Sequence, residues 1–163
     1  MITYFVELPS PALIRLLRQH PEVLDGLSAS GGGVAMAMLD LDDARADAVR
    51  DLNAAGVPVT AWLVLEESQG YWLTADNAEL AHRRYSAVLA WAQEHDLQLE
   101  AVGLDIEVPH EDAVALVKQG GRALKQMIRS RRSRAALDQA SRQYSVLVER
   151  IRADGFRVET YQF

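Results

Sequence analysis

The stretch AVGLDIEVP, residues 101–109, reads as a buried strand that ends in two carboxylates, Asp105 and Glu107. Burying an unpaired carboxylate is costly or shifts its pKa, so such a strand either surfaces into solvent or leads to a site. Ala101 and Gly103 precede the two carboxylates on one face, and the other face is apolar. Small and then polar residues on one face are typical of a barrel strand that rises to the mouth.

Four further segments have strand character, and helical patterns separate them along the chain. Alternation of strands and helices predicts an α/β fold with a parallel sheet, and 163 residues favour a single domain, 1–163. The predicted strands cover residues 2–8, 34–40, 58–65, 101–109 and 156–163.

Two architectures fit this order of elements. The length favours an open doubly wound sheet of five strands, because a closed barrel of eight strands needs about 250 residues. The small and polar inner faces favour a (β/α)-barrel-type sheet of about five β/α units, a partial TIM barrel. We therefore expect the chain to be the N-terminal part of a longer barrel, and an open sheet edge predicts self-association.

The sequence signals for helices differ in strength along the chain. Ser10 followed by Pro11 predicts a helix start with Ser10 as the N-cap, and the pattern then weakens through Gly26. A long helical region is predicted over 111–154, and its middle, Arg129 to Arg134, is strongly basic. We favour a solvated helix face or an interface for this stretch over a phosphate, nucleic-acid or membrane-surface patch.

Composition narrows the class of protein. A net charge of −6 argues against nucleic acid as the main partner, and no apolar run is long enough to span a membrane. The absence of cysteine fits a reducing compartment, and the N-terminus has no secretory pattern, so we expect a soluble, cytoplasmic protein. No glycine-rich phosphate motif joins a strand to a helix, and we expect no cofactor and no bound metal.

Carboxylates also end the other predicted strands, namely Glu7, Asp40 and Glu66. The carboxyl ends of parallel strands form the functional face in both architectures. Asp105 and Glu107 lie two residues apart, so they point to one side and tend to share a proton. Such a pair suits general acid-base hydrolysis of a glycosidic bond, with Glu107 as the acid and Asp105 beneath it.

Aromatic side chains near these strand ends are candidates for binding a sugar. These aromatic residues, together with Glu7, Asp40 and Glu66, are the predicted substrate-binding residues. For Trp62 we favour core packing over a role as a sugar platform. The aromatic candidates are Trp62, Tyr71, Trp72 and Tyr161.

The segment GLDIE at 103–107 resembles the fourth strand of the chitinase-like family 18 glycoside hydrolases and the LDIE-type strand end of family 25 lysozymes. The resemblance implies a TIM-barrel glycoside hydrolase-like protein, of a kind seen in uncharacterised bacterial proteins, in which Glu107 is the acid and Asp105 its partner. The chitinase pattern D-G-x-D-x-D-x-E is not complete, because Glu100 and Gly103 replace its first two aspartates.

Two other hypotheses stay open. One is a metal-dependent phosphodiesterase on a barrel scaffold, with His110 as the best-placed histidine and carboxylates as oxygen ligands for Mg²⁺ or Ca²⁺. The other is a non-catalytic carbohydrate-binding or structural α/β protein, in which arginine residues pair with the carboxylates. The metal hypothesis uses Glu7, Asp40, Glu66, Asp105, Glu107 and Glu159.

Overall fold

The computed structural model describes residues 2–107 and 134–161 and has an α/β fold. Within these residues a single sheet contains five parallel strands in the order β1-β2-β3-β4-β5. The strands are β1 (Thr3–Val6), β2 (Gly33–Ala37), β3 (Val59–Leu63), β4 (Ala101–Leu104) and β5 (Arg157–Thr160). The helices are α1 (Ser10–Gln19), α2 (Glu22–Ala29), α3 (Asp43–Ala54), α4 (Ala78–Glu94) and α5 (Arg134–Ala153).

The strand order follows the chain without a reversal. A doubly wound sheet changes direction at a switch point and carries helices on both faces, whereas a barrel sector adds each strand beside the previous one. The main core packs the apolar faces of the described helices against one face of the sheet, through residues such as Met36, Leu52 and Leu104. The described residues therefore form an α/β fold with a parallel sheet in sequential strand order, which is consistent with the partial barrel that the small inner faces predicted.

The opposite face of the sheet carries a separate apolar cluster. Ala37, Trp62 and Val64 form its buried centre, and Tyr161 packs against it. Phe5 joins from β1, with its ring centroid 4.8 Å from that of Tyr161. This surface is the side of the sheet away from the main core, and we call it the inner face.

The observed helix ends show which local sequence patterns predict a helix boundary correctly and which do not. Asp42 caps α3 by accepting a hydrogen bond from the backbone N–H of Arg45, and Gly56 turns the chain at a φ of 71° after that helix. The prediction that Ser10 caps α1 is wrong, because Ser10 lies inside the helix and Pro9 holds the cap position. The helix α2 forms in the weak stretch around Gly26, where no element was predicted.

Two other sequence predictions fall partly or wholly outside the described residues. The helical region predicted over 111–154 is seen as α5 from Arg134 onward. His110 and most of the basic stretch Arg129 to Arg134 lie outside the described residues. Among the described helices, none is both long and apolar enough to cross a membrane.

Candidate active site

Asp105 is the central carboxylate at the carboxyl end of the sheet. It follows β4 directly, two residues after Gly103 and so on the same inner face, and only 6% of its surface is exposed. Among the described residues none donates a hydrogen bond to its carboxylate. Burial raises the pKa of Asp105, and the negative charges of Glu107 and Glu7 raise it further. The site therefore favours a proton on this group.

Glu107 lies two residues further on and is half-buried. The loop after β3 reaches this point, because Leu73 pairs with Ile106 and accepts a hydrogen bond from the Glu107 backbone N–H at 2.8 Å. This contact extends the sheet beyond β4 and fixes the backbone of Glu107 against the loop. Asp105 is the more buried of the two carboxylates and Glu107 the more accessible, and the charge of Glu107 acts on Asp105.

Glu7 ends β1 and brings a third carboxylate to the pair, since its charge acts on Asp105. The Tyr71 hydroxyl, from the loop after β3, donates a hydrogen bond to Glu7. Burial is the main cause that raises the pKa of Tyr71, followed by this bond to Glu7. Tyr71 and Glu7 line one cleft of about 460 Å³, together with Leu39, Asp40, Glu66 and Glu67 among others.

Asp40 borders the same cleft but has structural partners. Its Oδ2 accepts hydrogen bonds from the backbone N–H of Ser10 at 2.9 Å and from the Ser10 hydroxyl at 3.1 Å. The Arg45 guanidinium lies 3.4 Å from the same oxygen. The Ser10 backbone N–H is the main cause that lowers the pKa of Asp40. Asp40 therefore caps α1 from another part of the chain, in place of the cap predicted from Ser10.

Sequence reasoning did not single out two arginines behind these strand ends. Arg45 is fully buried and donates to the carbonyl oxygens of Leu8 at 2.8 Å and Ala37 at 3.0 Å. Arg84 donates to the carbonyl oxygen of Leu39 at 2.9 Å and also to that of Met38. A signal for Arg45 was present in the sequence, because it is four residues before Val49 on the buried stripe of α3.

The predicted aromatic residues divide into two groups. Trp62 is 8% exposed and packs edge-on to Phe5 and Tyr161 in the inner-face cluster, with ring centroids 5.8 and 6.2 Å away. Tyr71 and Trp72 are half-buried in the loop above, with their ring centroids 6.3 Å apart.

Tyr161 occupies space that only a glycine leaves free. A Cβ atom at Gly103 would lie 2.6 Å from the Tyr161 hydroxyl oxygen and 2.7 Å from its ring. That hydroxyl donates to Glu159 at 3.1 Å. Burial is the main cause that raises the pKa of Tyr161, followed by the charges of Glu159 and Asp105. The lack of a side chain at Gly103 therefore allows the Tyr161 ring to pack against the strand that leads to Asp105.

Metal binding finds less support in this geometry. Glu159 interacts with Thr60, Arg157 and Tyr161. Glu66 is exposed at the start of a 3-10 turn, Glu67–Gln69, and its charge acts on Arg84. Within residues 2–107 and 134–161, no group of three or more His, Asp or Glu side chains has a geometry that could hold a metal ion.

A larger groove of about 540 Å³ lies elsewhere, along α5. Its walls include Ala75, Ile106, Leu137, Tyr144 and Val148, and none of the predicted site residues lines it. Comparison with known proteins gave no match: no protein-family model, no curated protein and no solved structure matches this chain.

Proposed function

We propose that this chain is a glycoside hydrolase-like protein in which Glu107 acts as the general acid and Asp105 as its partner carboxylate. The observation that carries the proposal is the state of Asp105: nearly buried, without a hydrogen-bond donor among the described residues, and with a pKa raised by burial, Glu107 and Glu7. A carboxyl group in this environment keeps its proton to higher pH than an ordinary aspartate.

The positions of the two groups support separate roles. Glu107 is the more accessible and would donate its proton to the glycosidic oxygen as the bond to the anomeric carbon breaks. The sugar then carries positive charge, which the carboxylate of Glu7 stabilises, while Asp105 keeps its proton and donates a hydrogen bond to the Glu107 carboxylate. Water adds to the anomeric carbon, and its proton returns the acid to its starting state.

The surroundings of the pair also suit a sugar. A cleft of about 460 Å³, lined by Glu7 and Tyr71 but not by Asp105 or Glu107, is large enough for a sugar unit, and it offers carboxylate and phenol oxygens to hydroxyl groups. Tyr71 and Trp72 supply half-buried aromatic surface beside it. Neutral sugars need this combination of apolar surface and hydrogen-bonding groups, so carbohydrate is the partner we propose.

The test measures release of reducing ends from N-acetylglucosamine oligomers by the wild-type chain and by Glu107→Gln. We expect the substitution to lower turnover by about 100-fold or more, the usual scale for removal of a general acid. Glu94→Gln is the control, because Glu94 is exposed at the end of α4, away from the strand ends. Equal turnover in Glu107→Gln and the wild type would end the proposed mechanism.

The same oligomers separate hydrolysis from binding alone. Calorimetric titration of the wild-type chain that gives binding without turnover would replace the hydrolase by a non-catalytic carbohydrate-binding protein. If the titration shows no binding and the assay shows no turnover, both the hydrolase and the carbohydrate-binding hypotheses are wrong.

A further inference from the structure

The loop between β3 and α4 reaches the segment that follows β4. Leu73 of this loop pairs with Ile106 in a parallel bridge, and the Leu73 carbonyl accepts a hydrogen bond from the Glu107 backbone N–H at 2.8 Å. Leu73 is fully buried, whereas Ile106 is 45% exposed. The buried loop therefore holds the backbone of Glu107, and the side chains that hold this loop bear on the position of Glu107.

Asn77 is the first of these side chains, and it lies just before α4. Its Oδ1 accepts a hydrogen bond from the Thr74 backbone N–H at 2.7 Å, and its Nδ2 donates to the Trp72 carbonyl at 2.8 Å. Trp72 and Thr74 are the neighbours of Leu73 in the chain. One amide group thus holds the residues on both sides of Leu73.

The peptide unit between Leu73 and Thr74 carries this restraint to Glu107. A trans peptide unit is planar, and its N–H and C=O point in opposite directions. Because the Thr74 N–H of this unit points to Asn77, the Leu73 carbonyl points away from Asn77 and meets the Glu107 N–H. Hydrogen bonds that follow one another in this way also polarise and strengthen each other.

Tyr144 holds the same loop from α5. Its hydroxyl donates to the Thr74 carbonyl at 2.8 Å, and the residue is only 7% exposed within the helix-covered core. Thr74 is therefore bound on its N–H by Asn77 and on its carbonyl by Tyr144. These two side chains are 67 positions apart in the numbering and converge on one residue of the loop.

We propose that Asn77 and Tyr144 are positioning residues for Glu107: they orient the peptide unit between Leu73 and Thr74, whose carbonyl fixes the Glu107 backbone. The consequence for catalysis rests on the proposed function, in which Glu107 is the general acid. A general acid must lie within hydrogen-bond reach of the oxygen that it protonates, so a displaced Glu107 backbone lowers the rate.

The chain supplies a matched control for each residue. The Asn53 side chain accepts from the Gln98 N–H and donates to the Gln98 carbonyl, both at 3.0 Å, just before β4 and so at the opposite end of that strand from Glu107. Tyr85 is buried in the same core as Tyr144, and its hydroxyl donates to Asp154 at 2.8 Å. Each control removes the same type of side-chain bond without touching the loop after β3.

Amide hydrogen exchange followed by NMR, in the chain without substrate, tests the positioning role. We expect Asn77→Ala to speed exchange of the Glu107 amide by about tenfold and Tyr144→Phe by about fivefold, the scale for loss of two hydrogen bonds and of one. The amides of β4 should keep their exchange rates in both variants. Asn53→Ala and Tyr85→Phe should leave exchange at Glu107 unchanged.

Three outcomes of the exchange measurement would overturn the proposal. They are an unchanged rate at Glu107 in either variant, an equal increase in the matched control, and an equal increase in the amides of β4, which would show a general loss of stability. Tyr144→Phe removes a single oxygen atom, so it keeps the test decisive if Asn77→Ala does not fold.

Turnover of N-acetylglucosamine oligomers tests whether Asn77 acts through Glu107. We expect Asn77→Ala to lower turnover by about tenfold in the otherwise wild-type chain and to cause no further loss in Glu107→Gln, because the positioned acid is then absent. A further tenfold loss in the double variant would contradict the positioning role. Exchange is measured without substrate, so a wild-type chain without turnover ends the proposed function alone, and the exchange rates still decide whether Asn77 and Tyr144 position Glu107.

Discussion

Asp40 and Asp105 are the same residue type near the carboxyl ends of the parallel strands β2 and β4, yet the fold places them in opposite surroundings. Asp40 has three donors, from Ser10 and Arg45, and the Ser10 backbone N–H is the main cause that lowers its pKa. Asp105 has no donor among the described residues, and burial is the main cause that raises its pKa.

The difference separates a carboxylate that stabilises the fold from one that is a candidate for proton transfer. Asp40 contributes to stability in its charged form, because its negative charge is compensated by a helix N-terminus and a buried guanidinium. Asp105 in its charged form works against folding, since it is buried beside Glu107 and Glu7. A group that is kept in an unfavourable state is the better candidate for proton transfer.

Removal of Asp40 gives the largest expected loss of stability. Asp40→Ala deprives α1 of its cap and leaves the fully buried Arg45 without a carboxylate partner, so we expect a loss of about 2–3 kcal/mol in the free energy of unfolding. Urea denaturation at pH 7 measures it.

Asp47→Ala provides the control for that measurement. The Asp47 side chain is 50% exposed against 43% for Asp40, but its ion-pair partner is the surface residue Arg50. A surface pair contributes about 0–1 kcal/mol, so Asp47→Ala should change the unfolding free energy little. Equal losses of unfolding free energy in Asp40→Ala and Asp47→Ala would show that Asp40 contributes no more to stability than a surface ion pair does.

Gly103→Ala is expected to have the next largest effect. The new Cβ atom would meet Tyr161 at 2.6 Å, so the ring must move away, at a cost of about 1–2 kcal/mol in stability. Displacing this neighbour admits water to Asp105 and moves its pKa down toward the ordinary value, while Asp40 is unaffected. Carboxyl NMR titration of both groups measures the change; a constant Asp105 midpoint would show that Tyr161 does not contribute to its burial.

Asp105→Asn is expected to have the smallest effect, with the opposite sign. It removes an unfavourable buried charge, so the unfolding free energy at pH 7 should rise by about 1 kcal/mol, roughly 2–4 °C in Tm for a chain of this size. Thermal unfolding followed by circular dichroism measures it. A loss of stability at pH 7 would contradict the view that the charged form of Asp105 is destabilising.

The pH dependence of the same variant completes this test. The folded pKa of Asp105 is raised, so the unfolded chain releases this proton first and stability falls as pH rises from the ordinary aspartate range through the raised pKa. Asp105→Asn should remove that fall. Asp40 has a lowered pKa, so its contribution is present at neutral pH and is lost as pH falls through that lower value.

Much of the fold could be predicted because its signals are local. The strand stretches follow from the period of apolar residues. The pairing of Asp105 with Glu107 follows from their spacing on one strand. The weak periodicity around Gly26 hid α2, because tertiary packing can stabilise a helix that has low local propensity.

The sequence by itself therefore determined the α/β class, the alternation of strands and helices along the chain and the carboxylates near the strand ends. Only the tertiary structure decided the order of the strands in the sheet and which carboxylates have structural partners. Ser10 and Asp40 are 30 residues apart, and Glu7 and Tyr71 are 64 residues apart. Since pKa values depend on burial and on groups brought together from distant parts of the chain, two aspartates near the carboxyl ends of parallel strands acquire opposite pKa shifts.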